Sequence, residues 1–129
     1  MMKKALLCVI LLAACDLACA EKDEKPPRVV STVPENGSQD VDPSLGEMSV
    51  TFDEEMIDGN WSWAYEDENT FPQIVGQAYY DETNKINKLP VKLEPNKEYA
   101  IWVNHADYKN FKDKAGNSAI PYRFTFKTR

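Results

Sequence analysis

The stretch Leu93-Glu94-Pro95-Asn96-Lys97-Glu98-Tyr99-Ala100-Ile101-Trp102-Val103 restricts what this 129-residue chain can fold into more than any other part of it. Tyr99, Ile101 and Val103 recur at every second position, so in an extended strand they share one face and enter a core, with Leu93 as a further apolar group before the turn. The spacing Leu-x-Pro-x-x-x-Tyr is that of a tyrosine corner, whose phenol bonds back to backbone a few residues upstream and closes a crossing between two sheets. An ordinary hairpin is the plainer alternative. The corner makes Tyr99 a structural residue, buried and hydrogen-bonded.

Strands read naturally on either side of it. Arg28 to Val33 is a β-branched run closed by Pro34-Glu35-Asn36-Gly37-Ser38, whose Asn-Gly pair suits a tight turn with positive φ. After a second turn region at Val41 to Gly46, Met48, Val50 and Phe52 alternate with polar neighbours. Near the end, Tyr122, Phe124 and Phe126 point one way and Arg123, Thr125 and Lys127 the other. Further strands fall at Asn60 to Ala64, near Val75 to Tyr80, and at Ile86 to Leu93, where Pro90 argues for an edge position. About seven short strands, turn clusters between them and no 3.6-residue periodicity predict an all-β fold, an antiparallel β-sandwich formed by residues 28–129 as one domain.

The first twenty residues read as a targeting segment, with Lys3 and Lys4 ahead of a short apolar run from Ala5 to Ala14 that cannot span a bilayer. Leu12-Ala13-Ala14-Cys15 resembles the lipobox of bacterial lipoproteins, which implies lipidation at Cys15 and a membrane partner through N-terminal acyl chains. Ala18-Cys19-Ala20 is a rival secretory site whose cleavage would release a soluble periplasmic or secreted protein beginning at Glu21. Cys19 is a poorer lipid acceptor, because Asp16 then stands where a lipobox wants a branched apolar residue. Residues 21–27, charged and ending in Pro26-Pro27, form an extended tether. Acidic residues just after the cysteine also resemble surface-export signals of some lipoproteins.

Several chemistries are disfavoured by what the chain lacks. Its net charge is −6, so nucleic acid is an unsuitable partner. All three cysteines, Cys8, Cys15 and Cys19, lie in or beside the leader, which removes disulfides, thiol catalysis and cysteine-metal sites from the domain. With 43% hydrophobic residues the domain can still build a core. His105 is the only histidine and no serine sits in a nucleophile elbow, so no catalytic residues and no cofactor are predicted. Calcium is the alternative: Asp53, Glu54, Glu55 and Asp58 cluster in one loop, while Asp107, Asp113 and Asn117 can converge from another. Against it, Asp113 and Gly116 have a structural explanation as a turn in which Asp bonds backbone and Gly takes positive φ.

The order of these motifs resembles a family. Pro27-Arg28-Val29, Pro34-Glu35-Asn36-Gly37, Val41-Asp42-Pro43, Val50-Thr51-Phe52-Asp53-Glu54-Glu55-Met56, Leu93-Glu94-Pro95 to Tyr99, Asp113-Lys114-Ala115-Gly116-Asn117 and Phe124-Thr125-Phe126-Lys127-Thr128 together are similar to the bacterial Ig-like domain of the SbsA type, found in S-layer and other envelope proteins. The resemblance implies an Ig-like sandwich serving as a non-catalytic spacer or binding module outside the cytoplasm. The family often occurs as tandem copies, whereas here one copy stands alone. Its pattern does not fix the Trp-rich stretch from Asp58 to Lys88, where a private function belongs.

Two function classes result: a lipid-anchored cell-envelope protein whose domain binds or braces an unknown envelope partner, and a carbohydrate-binding module that stacks sugars on Trp61, Trp63, Tyr79, Tyr80 and Trp102. Strand parity turns Trp102 outward beside Ala100 and Asn104. Either a neighbour covers it, such as Trp61, Trp63 or the Tyr108 to Phe111 loop, or it joins an exposed aromatic face.

Overall fold

The computed structural model describes residues 23–129, so the leader with Cys15, and Glu21 and Lys22 of the tether, lie outside the described residues. Nine strands run in order: β1 (Val29–Val33), β2 (Ser38–Val41), β3 (Glu47–Phe52), β4 (Trp63–Ala64), β5 (Gln73–Ile74), β6 (Tyr79–Tyr80), β7 (Ile86–Lys92), β8 (Glu98–Val103) and β9 (Tyr122–Thr128). They form two sheets. One has the order β1-β3-β7, with β5 and β6 both on the far side of β7; the other has the order β2-β9-β8-β4.

The alternating strands supply the core. Met48, Val50 and Phe52 of β3, Leu89 and Val91 of β7, Tyr99, Ile101 and Val103 of β8, and Phe124 and Phe126 of β9 are all buried. Each apolar side chain so buried contributes roughly 1.5–3 kcal/mol. Phe111, in the long loop between β8 and β9, fills the middle, with its ring centroid 5.2 Å from Phe52 and 5.7 Å from Trp63. No periodicity marks Phe111 in the sequence.

Four strand assignments differ from the sequence reading. The strand expected at Asn60 to Ala64 is cut to Trp63–Ala64, which leaves Trp61 in a loop. Ser38–Val41, expected as turn, is an edge strand paired parallel to β9, so the sheets are not wholly antiparallel. Its sequence Ser-Gln-Asp-Val has no alternation to read, and the Asn36-Gly37 turn, with Gly37 at φ 88°, delivers it to the second sheet. β7, expected at an edge, is central: β3 flanks it on one side and β5 and β6 on the other. Of the strand expected near Val75 to Tyr80 only Tyr79–Tyr80 (β6) forms, and β5 precedes that span at Gln73–Ile74. Pro90 accounts for the lapse in pairing on that side, and the lapse is what lets a central strand hold a proline. Its carbonyl accepts from Val75 N–H (3.0 Å), so the N–H it lacks would have faced that same side, and pairing lapses there between Ile74 and Tyr79. Gly76 fits the gap, since a Cβ there would lie 3.0 Å from the proline ring.

The crossing from β7 to β8 is held at Leu93 to Lys97. Tyr99, only 2% exposed, accepts a hydrogen bond on its hydroxyl from Glu94 N–H (2.8 Å), and its ring stacks on Phe126 at 5.2 Å. Thr128 adds a second tie: its Oγ1 donates to the Glu94 carbonyl (2.6 Å) and accepts from Lys97 N–H (3.0 Å). Both polar groups therefore satisfy backbone that the turn leaves unpaired.

Candidate binding groove

One edge of the sandwich is left unfinished. β4 ends the second sheet with two residues, and the interrupted β5 and β6 end the first, so neither edge strand is long enough to close the gap between them. A groove of about 670 Å³ opens there. Leu89 and Ala78 are buried, Trp61 and Trp63 are half-buried, and Tyr65 (54% exposed), Ile74 (51%) and Tyr108 (61%) are the exposed large hydrophobic residues of the lining.

Local structure fixes these positions. The Trp63 indole N–H donates to Asn87 Oδ1 (2.8 Å), which holds its ring edge-on against Phe111. Tyr65 packs edge-on against Phe71, and its hydroxyl reaches Glu68. The His105 to Asn110 side of the groove depends on Asn104, fully buried at φ 60°. Its Nδ2 donates to the carbonyls of Phe111 (3.1 Å) and Ala119 (3.0 Å), and its Oδ1 accepts from Phe111 N–H (3.0 Å). One amide thus pins both ends of the loop, and His105 and Tyr108 exchange backbone hydrogen bonds between them.

The five aromatic residues singled out in the sequence fall in three places. Trp61 and Trp63 line the groove. Tyr79 is bonded at the surface to the Glu47 carboxylate, which raises its pKa, and the Tyr80 hydroxyl is buried without a partner, its pKa raised by burial and by Asp58. Trp102 faces out from β8 and is covered locally, though by other groups than those anticipated. Its N–H donates to Glu66 (2.9 Å), and its ring meets His105 edge-on at 5.1 Å. Arg123 grips the same Glu66 through both oxygens (2.7 and 3.0 Å), and these bonds, with that from Trp102, bring the carboxyl down to about 2. A single face uniting Trp102 with the groove and Tyr79 is not what the geometry gives. Sequence reasoning passed over Tyr65 and Gln77, loop residues that no pattern distinguishes, and Ile74 of the two-residue β5, and it weighed the Tyr108 to Phe111 loop only as cover for Trp102.

The acidic residues are likewise redistributed. Asp53 accepts from Arg28 N–H (3.0 Å), Glu55 lies 3.7 Å from Lys114, and Asp58 bonds Gly59 N–H (2.8 Å), so the three do not share one site. Asp113 instead anchors its own turn. Its Oδ1 accepts from Ala115 and Asn117 N–H (3.0 and 2.8 Å), with Gly116 at φ 91°. Carboxyl oxygens of Asp23, Glu54 and Asp113 lie within 4.8 Å of one another. Burial first, then the charge and hydrogen bonding of Asp113, push Glu54 up to about 7. Burial would raise Asp113 too, but hydrogen bonds from Asn117, Glu54 and Ala115 outweigh it and hold Asp113 low, so below about pH 7 it is Glu54 that carries the shared proton.

Catalytic geometry is not assembled around His105, whose ring meets Trp102 while no side-chain hydrogen bond joins it to a serine or carboxylate among the described residues. Two sheets packed over one core, a tyrosine corner and a groove at one open edge define an Ig-like sandwich module. The sequence profile of the bacterial Ig-like domain family matches residues 23–128, and the chain belongs to that family. Among solved structures it is similar to the S-layer protein rSbsC (20% identity, TM-score 0.50) and to domains 1–6 of the surface layer protein SbsC (20% identity, TM-score 0.51). Each similarity covers 92% of this chain and 16% of the other. No curated protein sequence matches it.

Proposed function

We propose that the chain is a non-catalytic module of the bacterial cell envelope, lipid-anchored at Cys15, whose Ig-like sandwich binds a partner in the groove between its two unfinished edges. The observation that carries the binding role is the groove itself: exposed Tyr65, Ile74 and Tyr108 beside half-buried Trp61 and Trp63, with no catalytic constellation assembled around them. Aromatic side chains that keep large exposed area in a concavity supply binding energy at low entropic cost. Membership of the bacterial Ig-like domain family and the fold shared with surface layer proteins support a location outside the cytoplasm.

The anchor rests on Leu12-Ala13-Ala14-Cys15 followed by a charged, proline-ended tether. Each buried methylene of an acyl chain adds about 0.8 kcal/mol, so several chains hold the protein on a bilayer where none leaves it free. Fractionation tests this. The wild type is expected in the membrane fraction and Cys15→Ala in the soluble one. A wild type that is soluble and begins at Glu21 refutes the anchor.

A further inference from the structure

Among the aspartates and the indoles, those on the groove differ from the rest. Every other aspartate among the described residues accepts a hydrogen bond or ion pair from a backbone N–H, a hydroxyl or an arginine: Asp42 from Ser44, Asp67 from Asn69, Asp81 from Thr83, and so on around the loops. Asp107, on the groove, accepts none. The same holds for the indoles. Trp63 and Trp102 both donate their N–H to protein acceptors, while Trp61, whose ring lines the groove, donates to nothing within the domain. The side chains of Gln77 and Asn110 and the hydroxyl of Tyr108 also line the groove or its mouth without a protein partner.

Uncommitted donors and acceptors thus gather beside exposed aromatic rings. Charge narrows what complements them. The lining has one carboxylate, one imidazole and no lysine or arginine, on a chain of net charge −6. An anionic ligand finds no counter-charge there and is repelled by the rest of the surface. An acidic peptide, a nucleotide or an anionic polymer is a poor match. A purely apolar partner would bury Asp107, Gln77 and Asn110 unpaired, which costs about 1–3 kcal/mol for each stranded group. A neutral, hydroxyl-rich ligand with apolar C–H faces meets both demands: its ring faces lie on the aromatic side chains, and its hydroxyls take the free carboxylate, amides and indole N–H.

We infer that the groove binds a neutral oligosaccharide, with Trp61 and Tyr108 as stacking surfaces and Asp107, Gln77 and Asn110 as hydroxyl partners. This rests on the binding-module reading and names its ligand class. Asp107 accepts from two neighbouring hydroxyls, one on each oxygen of a side chain that has no other partner. Gln77 approaches from the β5–β6 side, where the break opposite Pro90 leaves that loop free to face the groove.

The experiment uses the full-length protein in detergent, with cellohexaose, mannohexaose and chitohexaose as probes and a polygalacturonate hexamer as the anionic comparison. Tryptophan fluorescence and calorimetry are expected to detect at least one neutral probe and not the anionic one. Asp107→Asn and Trp61→Ala weaken that binding about tenfold or more, while Tyr122→Phe, outside the groove, leaves it unchanged. Asp107 is exposed, so its variant keeps the wild-type melting temperature and stays informative if Trp61→Ala unfolds. No binding of any neutral probe at about 10 mM, or unchanged binding by Asp107→Asn, overturns the inference. If instead a photo-crosslinker at position 77 captures an envelope protein and no sugar binds, the glycan is refuted while the module reading stands. If neither sugar nor protein engages the groove, both fall.

Discussion

Replacing Tyr99 by Phe removes one oxygen atom and tests the joint between the sheets. The ring stays in place, stacked on Phe126 at 5.2 Å with the Lys97 ammonium 5.3 Å from its centroid, so the apolar packing of this residue is retained. What is lost is the acceptor for Glu94 N–H, 2.8 Å away at the crossing from β7 to β8. A part-buried donor without its partner costs about 1–3 kcal/mol, and access to water at the turn places this one in the lower half of that range. For a domain of this size 1 kcal/mol moves the melting temperature by about 4 °C, so a fall of roughly 4–8 °C is expected. Urea unfolding followed by fluorescence measures the same loss as a lower midpoint at unchanged slope. Tyr122→Phe is the control, because the Tyr122 hydroxyl has no protein partner and its removal is expected to change stability by less than about 0.5 kcal/mol. If Tyr99→Phe melts with the control, the corner bond contributes nothing and the account of how the sheets are joined is wrong.

Two further perturbations separate the loop from the acidic pair. Asn104→Ala strands the Phe111 N–H and the Ala119 carbonyl in the interior, while the Phe111 carbonyl keeps its bond from Ala119 N–H (2.9 Å), so a loss of about 2–4 kcal/mol is expected in denaturant unfolding, with the His105 to Asn110 side of the groove losing amide-exchange protection first. A variant as stable as wild type refutes the pinning role. Glu54 sits in the folded domain at about 7, above its ordinary 4.5, so the native state binds the extra proton. Its contribution is therefore fully present below pH 4.5 and is lost as pH rises through 7, so the melting temperature is expected to be higher at pH 5.5 than at pH 8. Solvent screening at this partly exposed site limits the difference to about 1 kcal/mol. Glu54→Gln is expected to flatten the slope, and an unchanged slope in that variant assigns it to another group.

Period-two alternation in β3 and β9 decided by itself which faces are buried, because a strand has only two sides and a one-residue slip would expose the whole apolar set, whereas in β8 the packing also covers Ala100 on the face expected outward. The Leu-x-Pro-x-x-x-Tyr spacing likewise placed Tyr99 at the crossing, since the hydrogen bond it makes is local in sequence. The same locality made the Asp113 to Asn117 turn legible. What the sequence left open involves partners far apart along the chain. Thr128 and Asn104 are polar residues whose burial depends on distant backbone groups that only the packed sheets bring to them. Pro90 announced a missing donor but not which neighbour would break, and the tertiary pairing decided that the break falls on the β5–β6 edge. The groove follows from that break. Trp61, Asp107 and Tyr108 come from loops without periodicity, and they become one surface only because two sheets, each fixed by its own alternation, end side by side with strands too short to close the space between them.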